Sequence, residues 1–248
     1  MIQGIIFDLG NTLIHTQTKF EASNQIGTDA AADFLRASGI ALPADFGARW
    51  LDQRRLGWKR ADETHVEQTV EDALAATLAQ IGVASRDGIV PRAVEAYFRA
   101  GDSGWVPYPE ALATVQTLRA RGLRVGLISN ADDVGIVHRA VERFGFKPYL
   151  DPVWSSAEAP RWRKPDARIF LRVADAWGIA PAQIAYVGDT VRYDVVGAHR
   201  AGMRALLVDR GENFAWQKTP AELAQDAAAI PEATIASLNE IFDWMQKS

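Results

Sequence analysis

The chain has 248 residues, enough for one large domain or a core with an insertion, and 48% apolar against 23% charged residues suits a globular protein with a sizeable buried core. A formal charge of −4 argues against a general nucleic-acid binder, which would carry a basic excess. The absence of cysteine excludes disulfides, thiolate metal sites and a cysteine nucleophile.

The run IQGIIF (2–7) is the first strand candidate, and Asp8 follows it directly in FDLGNTLI (7–14). Helical patterns then occupy residues 28–38, 44–62, 67–81 and 90–100, the third carrying an apolar stripe of Val66, Val70, Leu74, Leu78 and Ile81. This stretch is too long for one crossover and reads as an inserted helical subdomain over the edge that carries Asp8. Within it RRLGWKR (54–60) reads as a solvated helix face, with a basic face toward an anionic substrate as the alternative, and GDSGWVPYP (101–109) reads as the return linker.

Beyond the linker, strand candidates RVGLIS (124–129), PVWSS (152–156), IAYVG (184–188) and RALLV (204–208) alternate with helical faces. Those faces are Leu112, Val115 and Leu118; Val134, Val137, Val141 and Phe144; and Ile169, Val173 and Ala176. AELAQDAAAI (221–230) reads as helix or loop and ATIASLNEIFDWM (233–245) as a final helix. The alternation predicts an α/β fold with a doubly wound, mainly parallel Rossmann-like sheet, residues 1–15 and 105–248 forming the core and 16–104 the helical insertion.

Polar residues follow the strand ends: Asp8 after the first, Ser129 and Asn130 after the second, Lys164 beyond the third, Asp189 and Asp194 after the fourth. In a parallel sheet they converge on one edge, where carboxylates would hold a hard divalent cation while a hydroxyl and an ammonium hold phosphate oxygens. Each has a plainer reading: Asp8 as a turn residue, Ser129 as a cap on the helix near Asp132, Lys164 as an exposed loop lysine, Asp194 as a helix cap. Gly188 and Gly202 read as backbone-geometry positions. His15, His65, His138 and His199 are scattered without metal-ligand spacing. Trp50, Trp58 and Trp105 are candidates for a substrate pocket, and Arg161, Trp162 and Arg163 for an approach to the site.

The order FDLGNTL, GLISNA, KPDARIF and VGDTVRYDVVGAHRAGM resembles the haloacid dehalogenase-like (HAD) hydrolase superfamily, most of whose members are Mg²⁺-dependent phosphatases. A two-component receiver domain does not fit, because its acidic pair precedes its phosphorylated aspartate and it is about half this length. The resemblance implies a helical cap, Asp8 as the nucleophile that forms an aspartyl-phosphate, and Mg²⁺ at Asp8, Asp189, Asp194 and the Gly10 backbone carbonyl. It also implies Ser129 and Asn130 on the phosphate, and Lys164 on both Asp8 and the phosphoryl oxygens. The usual pattern is Asp-x-Asp, whose second acid protonates the leaving group, but here that position is Gly10 and the neighbouring Asn11 does not titrate. The expected activity is thus a phosphatase of a small phosphorylated metabolite without that acid. The alternatives are a dehalogenase, a phosphonate-cleaving enzyme needing a Schiff-base lysine (Lys19 and Lys59 are the lysines of the insertion), or a protein that only binds a phospho-ligand or partner. With no basic-then-apolar leader and no run near membrane-spanning length, the expected location is the cytoplasm, with neither membrane nor nucleic-acid partner. The sequence leaves oligomeric state open.

Overall fold

A computed structural model describes residues 1–83, 88–101, 104–211, 221–223 and 225–247. Gly4–Phe7 (β1) is buried at every residue, and its side chains divide between two cores. Ile5 and Phe7 join a cluster with Val125, Leu127, Ala185 and Val187 on one face of the sheet. Ile6 joins Ile128, Ile184 and Tyr186 on the other. A strand apolar on both sides is what a sheet covered on both faces requires.

In chain order the elements are Ile14–Thr16 (β2), Phe20–Ala37 (α1), Phe46–Thr64 (α2), Val70–Gln80 (α3), Ile89–Gly101 (α4) and Trp105–Pro107 (β3). The second part comprises Ala111–Ala120 (α5), Arg124–Ser129 (β4), Val134–Arg143 (α6), Val153–Ser155 (β5), Ala167–Trp177 (α7) and Ile184–Gly188 (β6). It continues with Val196–Arg200 (α8), Arg204–Val208 (β7), Ala233–Ile235 (β8) and Glu240–Lys247 (α9). Strands β5-β4-β1-β6-β7-β8 form one sheet, parallel throughout. The C-terminal ends of β1, β4 and β6 therefore share an edge with β1 at the centre. No helix among the described residues is long and apolar enough to cross a membrane.

The four helices α1–α4 enclose a core of their own, in which Leu35, Trp50, Leu74 and Val94 are buried together. They leave and return through an antiparallel ribbon of β2 and β3, with His15 opposite Val106. The expected linker is thus partly a strand; its Asp102 and Ser103 lie outside the described residues. Helix α1 begins eight residues earlier than the periodicity indicates. Its first turns are polar, and their helical state rests on packing against α4, where Gly27 leaves no room for a Cβ beside the Tyr97 ring. The expected final helix is divided: Ala233–Ile235 pairs with β7, and the helix starts only at Glu240. The expected helix or loop at 221–230 contains two short 3₁₀ turns, with Ala224 outside the described residues.

The indole of Trp177 lies against Gly4 of β1 and Gly126 of β4, where an added Cβ would come within 2.6 and 2.9 Å of its ring. Trp177 Nε1 also donates to the Asp151 carbonyl at 2.8 Å, so the ring has little freedom to retreat. Gly126→Ala is expected to lower stability by about 1–3 kcal/mol, as overpacking does. An unchanged denaturant midpoint would refute that packing.

Candidate active site

The loop after β1 starts with Asp8, whose N–H still donates to the Val187 carbonyl at 2.9 Å, so its backbone remains in register with β6. Three residues on, Asn11 sits at φ 53°, a left-handed conformation that asparagine tolerates better than most residues. The chain then closes through Leu13 and Ile14 N–H bonds to the Leu9 carbonyl. After β6 the segment Val191–Val195 forms one π-helical turn, of the kind found at functional sites. There Asp194 Oδ2 accepts from the Thr190 N–H (2.9 Å) and hydroxyl (2.7 Å). Gly188 serves clearance rather than backbone conformation, since a Cβ there would meet the Asp194 carboxylate at 2.4 Å. Gly202, at φ 74°, is the backbone-geometry position it was expected to be.

Lys164 is 2% exposed, and its ammonium lies among these groups. It donates to Asp8 Oδ1 at 2.7 Å, Asp194 Oδ1 at 2.6 Å and the Tyr186 hydroxyl at 2.8 Å. An ammonium has three N–H bonds, and these account for all of them. Reaching a phosphoryl oxygen as well would require giving one up. The Asn130 carboxamide holds the lysine's backbone, accepting from its N–H at 2.9 Å and donating to its carbonyl at 3.0 Å. Asn130 therefore orients Lys164 here instead of presenting its amide to a ligand. Ser129 is buried at the end of β4 and is not the expected helix cap: Asp133 takes that place, accepting from the Ile136 N–H.

Carboxylate oxygens of Asp8, Asp189 and Asp194 all lie within 4.8 Å of one another, and all three residues are buried. Against one ammonium the cluster has two negative charges in excess, and hard oxygen donors in that number fit a divalent cation. The same imbalance appears in the ionisation of Asp8. Burial, opposed by Lys164 but reinforced by Asp194, pushes its pKa up to about 6. Burial alone would lower the Lys164 pKa; Asp194 and Asp8 outweigh it and raise it. The Tyr186 phenol, buried beside Asp194 and Asp8, is held well above its usual range and stays neutral.

A cavity of about 750 Å³ opens from this cluster. Gly10, Asn11, Trp105, Ile136 and Phe144 are among the residues around it. A Cβ on Gly10 would lie 3.8 Å from the Trp105 ring, so position 10 faces an indole with ordinary room for a side chain. Trp105 thus lines the cavity as expected, whereas Trp50 belongs to the insertion's core and Trp58 lies outside the cavity. None of the four histidines lines it. His15 stacks on Tyr108, His138 and His199 bond Glu158 and Glu232, and His65 ends α2.

Arg161, Trp162 and Arg163 dock the insertion rather than approach the site. Arg161 pairs with Asp72, Val66 bridges to Trp162, and Arg163 lies 3.4 Å from Asp62 and 3.6 Å from Glu67. The RRLGWKR run also departs from expectation. Arg55, Lys59 and Arg60 are exposed, but Arg54 is buried against Asp132. Sequence reasoning missed Tyr186, Thr190 and Asp132. A phenol inside the apolar strand IAYVG was the one available signal for Tyr186.

Because Asp8 has a raised folded-state pKa, the stability it contributes is fully present below about pH 4 and lost as pH rises through about 6. In excess chelator, Asp8→Asn is therefore expected to be more stable than wild type at pH 8, by roughly 1–3 kcal/mol, with the gap closing toward pH 4. Thermal melts at the two pH values test this. A gap that is absent, or that widens in acid, would refute the assigned charge balance.

The profile of the family described as haloacid dehalogenase-like hydrolase matches residues 2–202. A phosphoserine phosphatase of Thermus thermophilus is 34% identical over 60% of this chain, which covers 54% of that protein's length. A glyceraldehyde 3-phosphate phosphatase of Methanopyrus kandleri is 31% identical over 86% of both chains. The crystal structure of a 2-haloacid dehalogenase from Pseudomonas syringae pv. Tomato superposes with a TM-score of 0.71 at 22% identity, covering 100% of this chain and 99% of that one, and so shares the fold. With a family profile spanning residues 2–202 and a relative 31% identical over 86% of both chains, the chain belongs to the haloacid dehalogenase-like hydrolases.

Proposed function

We propose that the protein is a Mg²⁺-dependent phosphatase of a small phosphorylated metabolite, working through an aspartyl-phosphate on Asp8, with the helical insertion as its cap. The observation that carries this reading is the buried set of Asp8, Asp189, Asp194 and Lys164 at the mouth of the cavity. Two relatives named as phosphatases support the reaction class. Asp8, Asp189, Asp194 and the Gly10 carbonyl would hold Mg²⁺, which supplies charge neutralisation for the phosphoryl oxygens. Lys164 grips Asp8 Oδ1, so Oδ2 is the oxygen assigned to attack phosphorus. The Ser129 hydroxyl donates to a phosphoryl oxygen. Asn130 acts through Lys164, and Asp194 braces the same ammonium. The lack of cysteine accords with the cytoplasm, where we place the protein.

The leaving group would depart beside Gly10 and Trp105, with no side-chain acid at position 10. This favours substrates whose leaving oxygen is a weak base. p-Nitrophenyl phosphate should turn over with Mg²⁺, while simple alkyl phosphates lag far behind. Excess EDTA and Asp8→Asn should each abolish turnover. Phosphate release that survives both would sink the proposal, and chloride release from a 2-haloacid in EDTA would replace it with dehalogenation.

Restoring the acid tests the same reading from the other side, because position 10 has room for a side chain and its φ is not in the left-handed region. Gly10→Asp should raise alkyl phosphate turnover by about a hundredfold, within the usual range for general acid catalysis, and leave the nitrophenyl ester nearly unchanged. Equal effects on both esters would mean that proton delivery is not what position 10 lacks.

A further inference from the structure

Arg54 lies in the insertion, far from Asp8 in role, and its surroundings are unusual for a residue in a charged run. It is 6% exposed. Its guanidinium donates to the Tyr97 hydroxyl at 2.6 Å and Asn24 Oδ1 at 3.0 Å, and lies 5.1, 5.2 and 5.9 Å from the ring centroids of Trp58, Tyr97 and Phe20. Its other terminal nitrogen reaches out of the insertion to Asp132 Oδ2 at 2.8 Å, and Trp58 Nε1 lies 3.4 Å from the same oxygen. Asp132 is three residues beyond Ser129, in the loop that leaves β4. The insertion grips that loop at two further points. The Val70 N–H donates to the Asp132 carbonyl at 2.9 Å, and Glu67 accepts from Ser156, whose Oγ in turn accepts from the Ala131 N–H.

We propose that Arg54 is a positioning residue, acting through Asp132 to fix the loop that presents Ser129 and carries Asn130. The proposal rests on the phosphatase reading for its kinetic consequence, though not for its structural one. The physical chain is short. The three rings, the Tyr97 hydroxyl and the Asn24 side chain immobilise the guanidinium. The guanidinium fixes Asp132 by a charge-assisted bond in a desolvated place. Asp132 then holds the loop two residues beyond Asn130, whose amide in turn sets Lys164. The pair also spans the division between insertion and sheet, so the loop takes its working shape only when the insertion is seated. A purely structural ion pair would change stability and leave turnover of the folded enzyme alone; this one sets kcat.

The test uses full-length Arg54→Met, Asp132→Asn, their combination and the milder Arg54→Lys, with p-nitrophenyl phosphate and Mg²⁺. Each of the first two should lower kcat about tenfold per folded molecule, with KM within about twofold of wild type. The double variant should also lose about tenfold rather than a hundredfold, since the two side chains act as one device. Arg54→Lys should fold and remain at least about threefold slow, because an ammonium cannot reproduce the planar fork. Amide hydrogen exchange over residues 129–133 should quicken in all four. Wild-type kcat in the folded variants, multiplicative losses in the double, or unchanged exchange in that loop would each overturn the proposal. If wild type hydrolyses no phosphate ester, the phosphatase reading falls and exchange alone decides: faster exchange sustains the positioning role and unchanged exchange ends it.

Discussion

The fold is organised around one ammonium that water does not reach. Removing a lysine from water costs several kcal/mol even after relaxation, and each carboxylate beside it adds a similar cost. Lys164 is tolerated because each of its N–H bonds ends on an oxygen, two of them charged, at 2.6 to 2.8 Å. The arrangement is stringent. Asp8 must sit at the end of β1, Asp194 must fold back over Gly188, and the Tyr186 phenol must rise from the middle of β6. Loss of any one partner leaves a buried charge or donor unpaired, so the tips of β1 and β6 and the 164 segment are mutually constrained.

The constraint shows why residues 156 positions apart in sequence come to share a hydrogen bond. Parallel strands with crossovers of one hand put every strand's C-terminal end on the same side. Strand β1, laid between β4 and β6, then places Asp8 between Ser129 and Asp189 without a loop having to travel. The helical insertion leaves through the ribbon that begins just after Asp8 and settles over that same edge. Its contacts fall beside catalytic candidates: Asp132 near Ser129, Arg163 next to Lys164, and Tyr193, which donates to Asp62, next to Asp194.

The sequence made the sheet and its polar edge legible for a physical reason. A parallel strand is an apolar run ended by a polar residue, and β1, β4 and β6 each show that pattern locally. What it hid depends on tertiary partners. Lys164 stands in RWRKPD, a segment that reads as exposed, and its depth comes from oxygens contributed by β1, β6 and the turn after β6. Arg54 sits in a run of cations whose neighbours Arg55 and Arg60 do face water. Only its position on α2, facing Tyr97 and Asp132, distinguishes it. The first turns of α1 show no periodicity because Gly27 against Tyr97, rather than an apolar stripe, holds them to α4. Strand β8 is three residues long and gains its identity from the ladder to β7.

The Lys164 network closes without any contribution from position 10. The ammonium bonds Asp8, Asp194 and Tyr186; the side chain at position 10 is not among them. Glycine there leaves the balance of the buried charges as it is. A neutral residue at Asp194 would instead leave Lys164 short of a charged partner, and a neutral residue at Lys164 would leave Asp8, Asp189 and Asp194 facing one another uncompensated. The cluster is thus divided into a buried part whose bonds are filled and an open part beside Trp105, where a side chain has ordinary room. Gly10 lies in the open part, outside the bonds that hold Lys164.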